Sequence, residues 1–539
     1  MECKKNFKTN KTMKRYIKTL VPAAALLMAV GTTSCTNDLD VTPIDPNKNT
    51  ELNVSSLFNM CYANFGLEGD GPGNANIAAE DPGTAGLIRQ YWNMNELGTD
   101  EAICAWTDPG VTTLNTNQQD ASNMMVSIFY NRLYYGISVC NQYLDVASGV
   151  DATQTAEIRL LRAIQYYLAM DVFGNIPLAT TISPAMPEQK TQAEMYAWLE
   201  NEVLELEPNL SEPKAKTSAD ANYGRVDKAA AWMLLSRLYL NAEVYTGTAQ
   251  WEKAAQYAKK VIESDYHLFT TGTGAYSSYA QLFMGNNGEN GSSVEAVFPI
   301  LQQGSTTASY GGSFFLMASC WKDDMVSNGT NGNWQGNRAR PELVRQFFPN
   351  NDAPNETSAN MTVAAGDDRA LFWGQDRTLQ IETITDFVQG FSVTKFNNVY
   401  SDGGTPTRTD FADTDFFFFR VAEAYLTYAE AMARLNGGTA PEDAVSLLNQ
   451  LRMRAHAGTK SAYTLQDILD ERSRELYFEG LRRTDLIRYG KFGGESADYV
   501  WSWKGGSANG VNFKKEYNLM PLPSSDLSVN ANLKQNAGY

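Results

Sequence analysis

The chain has 539 residues, with 44 lysines and arginines against 61 aspartates and glutamates, and a formal charge of −17 at pH 7. This acidic balance argues against a nucleic-acid-binding protein, because phosphate contacts need clustered basic side chains. Only two histidines occur, His267 and His456, so the sequence gives little support to histidine-rich metal sites or Ser-His-Asp triads.

Residues 1–34 are typical of a bacterial signal peptide. Basic residues precede the apolar stretch 20–30, and small residues then lead to Cys35. Eleven apolar residues are too few for a transmembrane helix, which needs roughly 20. Because the residues before Cys35 resemble a lipobox, we expect Cys35 to carry a lipid anchor and residues 35–50 to form a tether. Ordinary cleavage with an incidental thiol at Cys35 is the alternative, and Met13 is an alternative start.

Helical patterns in pairs cover much of the remaining chain. Residues 156–172 have the spacing of a buried helix, and residues 227–245 and 251–262 read as two helices around a turn at Gly247. Residues 421–432 form another pattern, stopped by 436–438 and restarted after Pro441. Thr464 and Asp467 predict a capping box at the start of a further helix. This layout resembles tetratricopeptide pairs.

Between about residues 270 and 415, Gly, Asn, Ser and Thr dominate and the helical spacing fades, with one predicted strand at 294–301. We therefore predict a mostly α fold for residues 51–539: a single domain of tetratricopeptide-like helical pairs with a large, irregular, loop-rich insertion. Loops held on a rigid scaffold are where binding residues tend to lie. Four cysteines outside the leader are too few for a disulfide scaffold, and we expect small core residues.

Several segments, in order, resemble the SusD/RagB family of outer-membrane glycan-binding lipoproteins. They are residues 157–177, 224–241, 419–426, 474–488 and the C-terminal run 535–539. The resemblance implies a non-catalytic protein, anchored in the outer membrane and facing the cell exterior. It further implies delivery of oligosaccharides to a SusC-like, TonB-dependent transporter. The charged residues of 474–488 fall at helical spacings, so we expect scaffold ion pairs there rather than ligand contacts.

Within that family, three loops are similar to those of a starch-binding member. By position, Trp106, Tyr310 and Trp334 would form an aromatic arc, and Arg89 would hydrogen-bond sugar hydroxyls. The implied ligand is starch or another α-glucan. Two departures stand out, since Cys104 replaces a second tryptophan and Pro109 replaces a ligand-contacting asparagine.

These residue types suit carbohydrate, because sugar rings pack their C–H faces on flat aromatic rings while their hydroxyls need directional partners. A curved row of rings would match a coiled α-glucan. Taken singly, each aromatic is more often a core residue. Asn and Gly around Trp334 favour exposure, whereas Trp106 follows an apolar run and has the weakest case.

No cofactor is required by this interpretation, although the resemblance implies a structural calcium in some members. Asp413 and Asp415 resemble the acidic pair of that site and offer hard oxygen ligands. Two solvated turn residues are the alternative.

Two other functions stay open on sequence grounds. A glycoside hydrolase needs only a suitably spaced carboxylate pair, which 61 acidic residues can supply. A helical-repeat scaffold that binds protein on its concave face is the second alternative.

Overall fold

The computed structural model describes residues 53–495 and 497–539. The predicted signal peptide, Cys35 and the whole predicted tether lie outside these residues. Helices dominate the described part, and their bounds follow. The helices are α1 (Val54–Gly66), α2 (Leu87–Glu96), α3 (Val111–Asn115), α4 (Met124–Ala147), α5 (Ala152–Phe173), α6 (Gln192–Leu206), α7 (Lys228–Leu240), α8 (Ala242–Thr246), α9 (Trp251–Ile262), α10 (Ser278–Gln281), α11 (Ser313–Ala318), α12 (Pro341–Arg345), α13 (Ser358–Ala365), α14 (Val421–Leu435), α15 (Glu442–Arg454), α16 (Leu465–Leu476), α17 (Arg482–Arg488) and α18 (Ser524–Val529).

Strands are few and short, and in the described residues they pair into two-stranded antiparallel sheets. The strands are β1 (Ala102–Cys104), β2 (Ile176–Pro177), β3 (Gln189–Lys190), β4 (Ala296–Ile300), β5 (Asn337–Ala339), β6 (Phe372–Trp373), β7 (Ser392–Val393) and β8 (Phe416–Arg420). The pairs are β1–β5, β2–β3, β4–β8 and β6–β7. The strand predicted at 294–301 is therefore confirmed as β4.

Helices that follow one another in the chain pack as pairs. α4 packs on α5 and α5 on α6, while α9 lies against both α7 and α14. Close approach is possible because small side chains line these faces, including the buried Ala230 of α7 and Ala254 and Ala258 of α9. The predicted mostly α fold built from helical pairs is confirmed.

Local signals fix where these helices begin and end. At the start of α16, Thr464 and Asp467 form both bonds of the predicted capping box. Gly247 ends α8 at φ +76°, a left-handed conformation that glycine adopts without a steric penalty. The local sequence therefore determines the turn between α8 and α9.

Short helices and strands interrupt the loop-rich segment predicted at 270–415. It contains β4, α11 and β5, which carry or adjoin the loops of Tyr310 and Trp334. Antiparallel pairing joins Cys104 of β1 to Asn337 of β5, so the loop after β1 is held beside the loop before β5. This pairing brings two distant parts of the chain to one surface.

The charged segment 474–488 forms a buried ion-pair network, but its partners are mostly distant in sequence. Arg420 contacts Glu295 at 2.9 Å and Glu475 and Glu479 at 2.7 Å each. Arg482 pairs with Asp100 at 2.7 Å. The expected scaffold role agrees with this burial, yet pairing within helical turns accounts for only a few contacts, such as Arg488 with Asp485. Helical spacing alone does not reveal such long-range partners.

Contacts group residues Val54–Tyr539 into one compact unit. Among the described helices, none has the length and apolar character needed to cross a membrane. The expected core role of the cysteines is confirmed, since each one in the described residues is buried and free; these are Cys61, Cys104, Cys140 and Cys320.

Candidate functional site

Arg89 lies on α2, where it is buried but still touches the candidate site. Its guanidinium forms an ion pair with Asp81 at 3.2 Å and lies over the rings of Phe315 and Trp106, at 5.0 and 5.7 Å from their centroids. Its Nε–H has no hydrogen-bond partner in the described residues. Burial lowers the pKa of Arg89, and the Asp81 carboxylate opposes that shift. The Arg89 guanidinium therefore places a fixed set of hydrogen-bond donors beside an aromatic face.

Trp106 follows β1 and lies half-buried beside β5. Its neighbour Ala105 donates a hydrogen bond to the carbonyl of Gly336 at 2.9 Å. A Cβ atom at Gly336 would lie 2.3 Å from Nε1 of Trp106, and Gly336 has φ +110°. Only a residue without a side chain leaves room for this ring.

Tyr310 and Trp334 form the other part of the site. Their ring centroids are 6.2 Å apart, and both rings pack around Phe314, at 6.0 and 5.1 Å. The ring of Phe411 lies 5.0 Å from that of Tyr310. Both Tyr310 and Trp334 remain half-exposed. No partner for the Tyr310 hydroxyl occurs in the described residues, so that group can bond to a ligand.

The short helix α11 joins these groups into one surface, which we call the aromatic platform. Phe314 supports Tyr310 and Trp334, while Phe315 packs on Trp106 at 6.3 Å and on Arg89. The structure therefore brings together all four predicted residues, which are Arg89, Trp106, Tyr310 and Trp334. Aromatic pairs at such distances are mutually attractive and hold each ring in place.

The supporting residues were missed by sequence reasoning. Phe314 and Phe315 follow Gly311, Gly312 and Ser313, and this run of three small and two large residues is the available signal. Trp334 has no apolar neighbours in sequence, yet its ring packs on Phe314. Nothing local in the sequence reveals such a contact, because the partner lies on a separate element, α11.

The two sequence departures have different structural settings. Cys104 is 1% exposed, and its backbone N–H and C=O both bond to the side-chain amide of Asn115, at 2.9 and 2.8 Å. Burial raises the pKa of the Cys104 thiol to about 12. Cys104 thus belongs to the core and not to the platform. Pro109 is exposed in the loop after Trp106, next to the exposed carboxylate of Asp108.

Asp413 and Asp415 are not solvated turn residues, since each is only 7% exposed. Asp413 accepts hydrogen bonds from the backbone N–H groups of Gly304 and Thr407, each at 2.7 Å. Asp415 accepts from the backbone of Gln302 and from the hydroxyl of Tyr223, both also at 2.7 Å. The pair therefore holds the loops around β4 together.

Calcium gains no support from this geometry. In the described residues no group of three or more His, Cys, Asp and Glu side chains is arranged to hold a metal ion. Burial raises the pKa of Asp415 to about 7, and the charges of Glu289 and Asp413 add to the shift. A cavity of about 360 Å³ lies beside the pair.

Comparison with known proteins identifies the family. The model of the SusD family matches residues 295–539. The chain is 38% identical to the starch-binding protein SusD of Bacteroides thetaiotaomicron, over 97% of this chain and 99% of the relative. It is 24% identical to the SusD-like protein P25 of Formosa agariphila, over 80% of this chain and 83% of that protein.

Solved structures share the fold at lower identity. The surface glycan-binding protein A of Bacteroides uniformis aligns with a TM-score of 0.65 at 22% identity, over 90% of this chain and 99% of that one. A surface glycan-binding protein A of Bacteroides thetaiotaomicron, solved with laminarihexaose, gives 0.64 at 19% identity, over 90% and 98%. The relative that is 38% identical is named as a binding protein, in agreement with the prediction that this protein is not an enzyme. This chain belongs to the SusD family.

Proposed function

We propose that this protein binds starch or a similar α-glucan on the aromatic platform, without catalysing any reaction. The observation that carries the proposal is the convergence of Trp106, Tyr310 and Trp334 around α11. Half-exposed rings offer apolar faces to the C–H faces of sugars. Beside them, Arg89 offers a donor fork, and the exposed Asp81 offers acceptor oxygens.

The choice of an α-glucan draws on the relative that is 38% identical and is named for starch binding. A structural neighbour was solved with laminarihexaose, so a β-glucan is the ligand that must be tested against starch. Rings in a curved row would favour a coiled polymer over an extended one. Weak binding at each site would be strengthened when several protein molecules engage one polymer chain.

Location and partner follow from the family resemblance. We propose that Cys35 carries a lipid anchor, that residues 1–34 are a removed leader, and that the domain faces the cell exterior from the outer membrane. More than one acyl chain on Cys35 would make that attachment stable. The bound oligosaccharide would then pass to a SusC-like, TonB-dependent transporter.

Affinity electrophoresis tests the glycan. The purified protein would be run through gels containing amylopectin, pullulan, dextran, inulin or laminarin, and we expect retardation by amylopectin and pullulan. Retardation by laminarin alone would replace the α-glucan with a β-glucan. New reducing ends released from amylose would contradict a purely binding role.

Substitution of Trp334 tests the platform. Trp334→Ala removes a half-exposed ring that packs edge-to-face on Phe314, and we expect amylopectin affinity to fall about tenfold, equivalent to roughly 1.4 kcal/mol. Trp251→Ala is a matched control, because Trp251 is also half-buried but begins α9, away from α11. Equal retention of both variants would favour the protein-binding scaffold instead.

A further inference from the structure

The buried carboxylate of Glu68 contacts the loop that carries Tyr310. Glu68 lies just after α1 and is 1% exposed. Its Oε1 accepts a hydrogen bond from the backbone N–H of Tyr310 at 2.9 Å, and its Oε2 accepts one from the hydroxyl of Ser309. The Ser309 oxygen in turn accepts from the N–H of Gly311 at 3.2 Å. One carboxylate thus fixes three consecutive residues.

Neutral donors alone satisfy this carboxylate. In the described part of the chain, Glu68 forms no ion pair with a lysine or arginine side chain, although the buried guanidinium of Arg132 donates to its main-chain oxygen at 2.7 Å. Burying a carboxylate costs free energy that charge-assisted hydrogen bonds must offset. The loop at Tyr310 is therefore tied to Glu68 by strong and specific bonds.

The same loop also contacts two glycines that precede α2. A Cβ atom at Gly83 would lie 2.7 Å from Cβ of Tyr310, and one at Gly86 would lie 2.5 Å from Cα of Gly311. The backbone N–H of Arg89 also donates to the carbonyl of Gly311 at 3.1 Å. The loop thus contacts both Glu68 and this turn, so the positions of Tyr310 and Arg89 are coupled.

We propose that Glu68 is a positioning residue of the glycan site. It does not touch the platform surface, but it holds the backbone of Tyr310 and so sets the ring beside Trp334 at 6.2 Å. A ring that is already in place loses less conformational freedom when sugar binds, which raises affinity. This role rests on the proposed function, because it requires that Tyr310 contacts the glycan.

A double-mutant cycle tests the role with maltoheptaose and isothermal titration calorimetry. Glu68→Gln keeps the volume but places an amide against two donors, and we expect affinity about fivefold weaker. Tyr310→Ala is expected to weaken binding at least as much. If Glu68 acts through Tyr310, the double variant binds like Tyr310→Ala alone, whereas additive losses would overturn the positioning role.

A matched control separates positioning from general stability. Glu157 is also buried but is not part of the platform. It accepts a hydrogen bond from the Tyr62 hydroxyl at 2.6 Å and forms an ion pair with Arg225. Glu157→Gln is expected to lower Tm without changing maltoheptaose affinity. Equal loss of affinity in both glutamine variants would overturn the proposal.

A milder substitution keeps the test decisive if Glu68→Gln does not fold. Ser309→Ala removes one of the two bonds to the carboxylate, and the same cycle with Tyr310→Ala applies. Unchanged affinity in Ser309→Ala would then overturn the positioning role while leaving the proposed function intact. Failure of the unmodified protein to bind maltoheptaose would instead overturn the α-glucan function, and the positioning role with it.

Discussion

At the platform, the ring of Trp106 occupies the space that a side chain at position 336 would need. The backbone of Gly336 has φ +110°, and the space that a Cβ atom would need is already filled by the indole ring. Residues that make no contact with sugar can therefore decide where a ligand-facing ring lies. The same holds for Gly83, whose missing side chain leaves room for Tyr310. The positions of Trp106 and Tyr310 therefore depend on glycines that carry no side chain.

Gly336→Ala should therefore weaken glycan binding as well as stability. The added methyl group displaces Trp106 and strains the backbone, and we expect a loss of about 1–3 kcal/mol in the free energy of unfolding. Glycan retention should fall with it, as measured by affinity electrophoresis. Gly403→Ala is the control, because Gly403 has φ +80° and open space around it. If the two variants retained amylopectin equally, the role assigned to Gly336 would be wrong.

Helix α16 shows how one element joins several parts of the chain. Its Glu471 and Glu475 are fully buried and pair with Arg369. Arg454, at the end of α15, pairs with Glu475 as well. Removing one partner of such a network would leave a buried charge unpaired, at a cost of about 3–5 kcal/mol. The element is therefore fixed by electrostatic contacts across the fold in addition to its apolar face.

Acid should unfold the protein through these carboxylates. Burial alone would raise the pKa of Glu471 and Glu430, but neighbouring guanidiniums, led by Arg369 and Arg488, lower both to about 2. A lowered folded-state pKa gives stability that is present above pH 4.5 and lost as the pH falls towards 2. Denaturant titrations at a series of pH values should show this loss. A constant free energy of unfolding between pH 4.5 and 2 would contradict it.

A buried carboxyl with too little positive charge nearby gives the opposite pH dependence of the free energy of unfolding. Burial raises the pKa of Glu101, which follows α2, to about 7. A raised folded-state pKa favours the protonated folded protein, so this contribution to stability declines as the pH rises from about 4.5 to 7. Glu101→Gln should flatten that decline in the same titrations, and an unchanged slope would count against the assignment.

Over the whole molecule, a helical scaffold carries an irregular surface. The paired helices α4–α6, α7–α9 and α14–α16 supply the packed core, while the platform is built from α2, α11 and the loops beside short elements. A large core of this kind can hold loops of low regularity in fixed positions, because close packing and buried bonds restrict their motion. The architecture suits a protein that presents a rigid surface to a long polymer.

The anchor is tested on the full-length chain. Cys35→Ser should remove lipid attachment, and we expect the protein to move from the membrane fraction to the soluble fraction, without incorporation of labelled palmitate. Cys3→Ser, within the expected leader, is the control and should leave both measurements unchanged. Continued membrane association of the Cys35 variant would contradict the proposed anchor.

Much of the scaffold was determined by the sequence itself. Spacing of apolar residues and capping signals such as Thr464 and Asp467 act over a few residues, so they predict helices without knowledge of the fold. The family resemblance named Arg89, Trp106, Tyr310 and Trp334 as candidates. Only the tertiary structure decided that they converge around α11 and that Glu68 holds Tyr310. These contacts join residues far apart in the chain, and no local pattern encodes such distances.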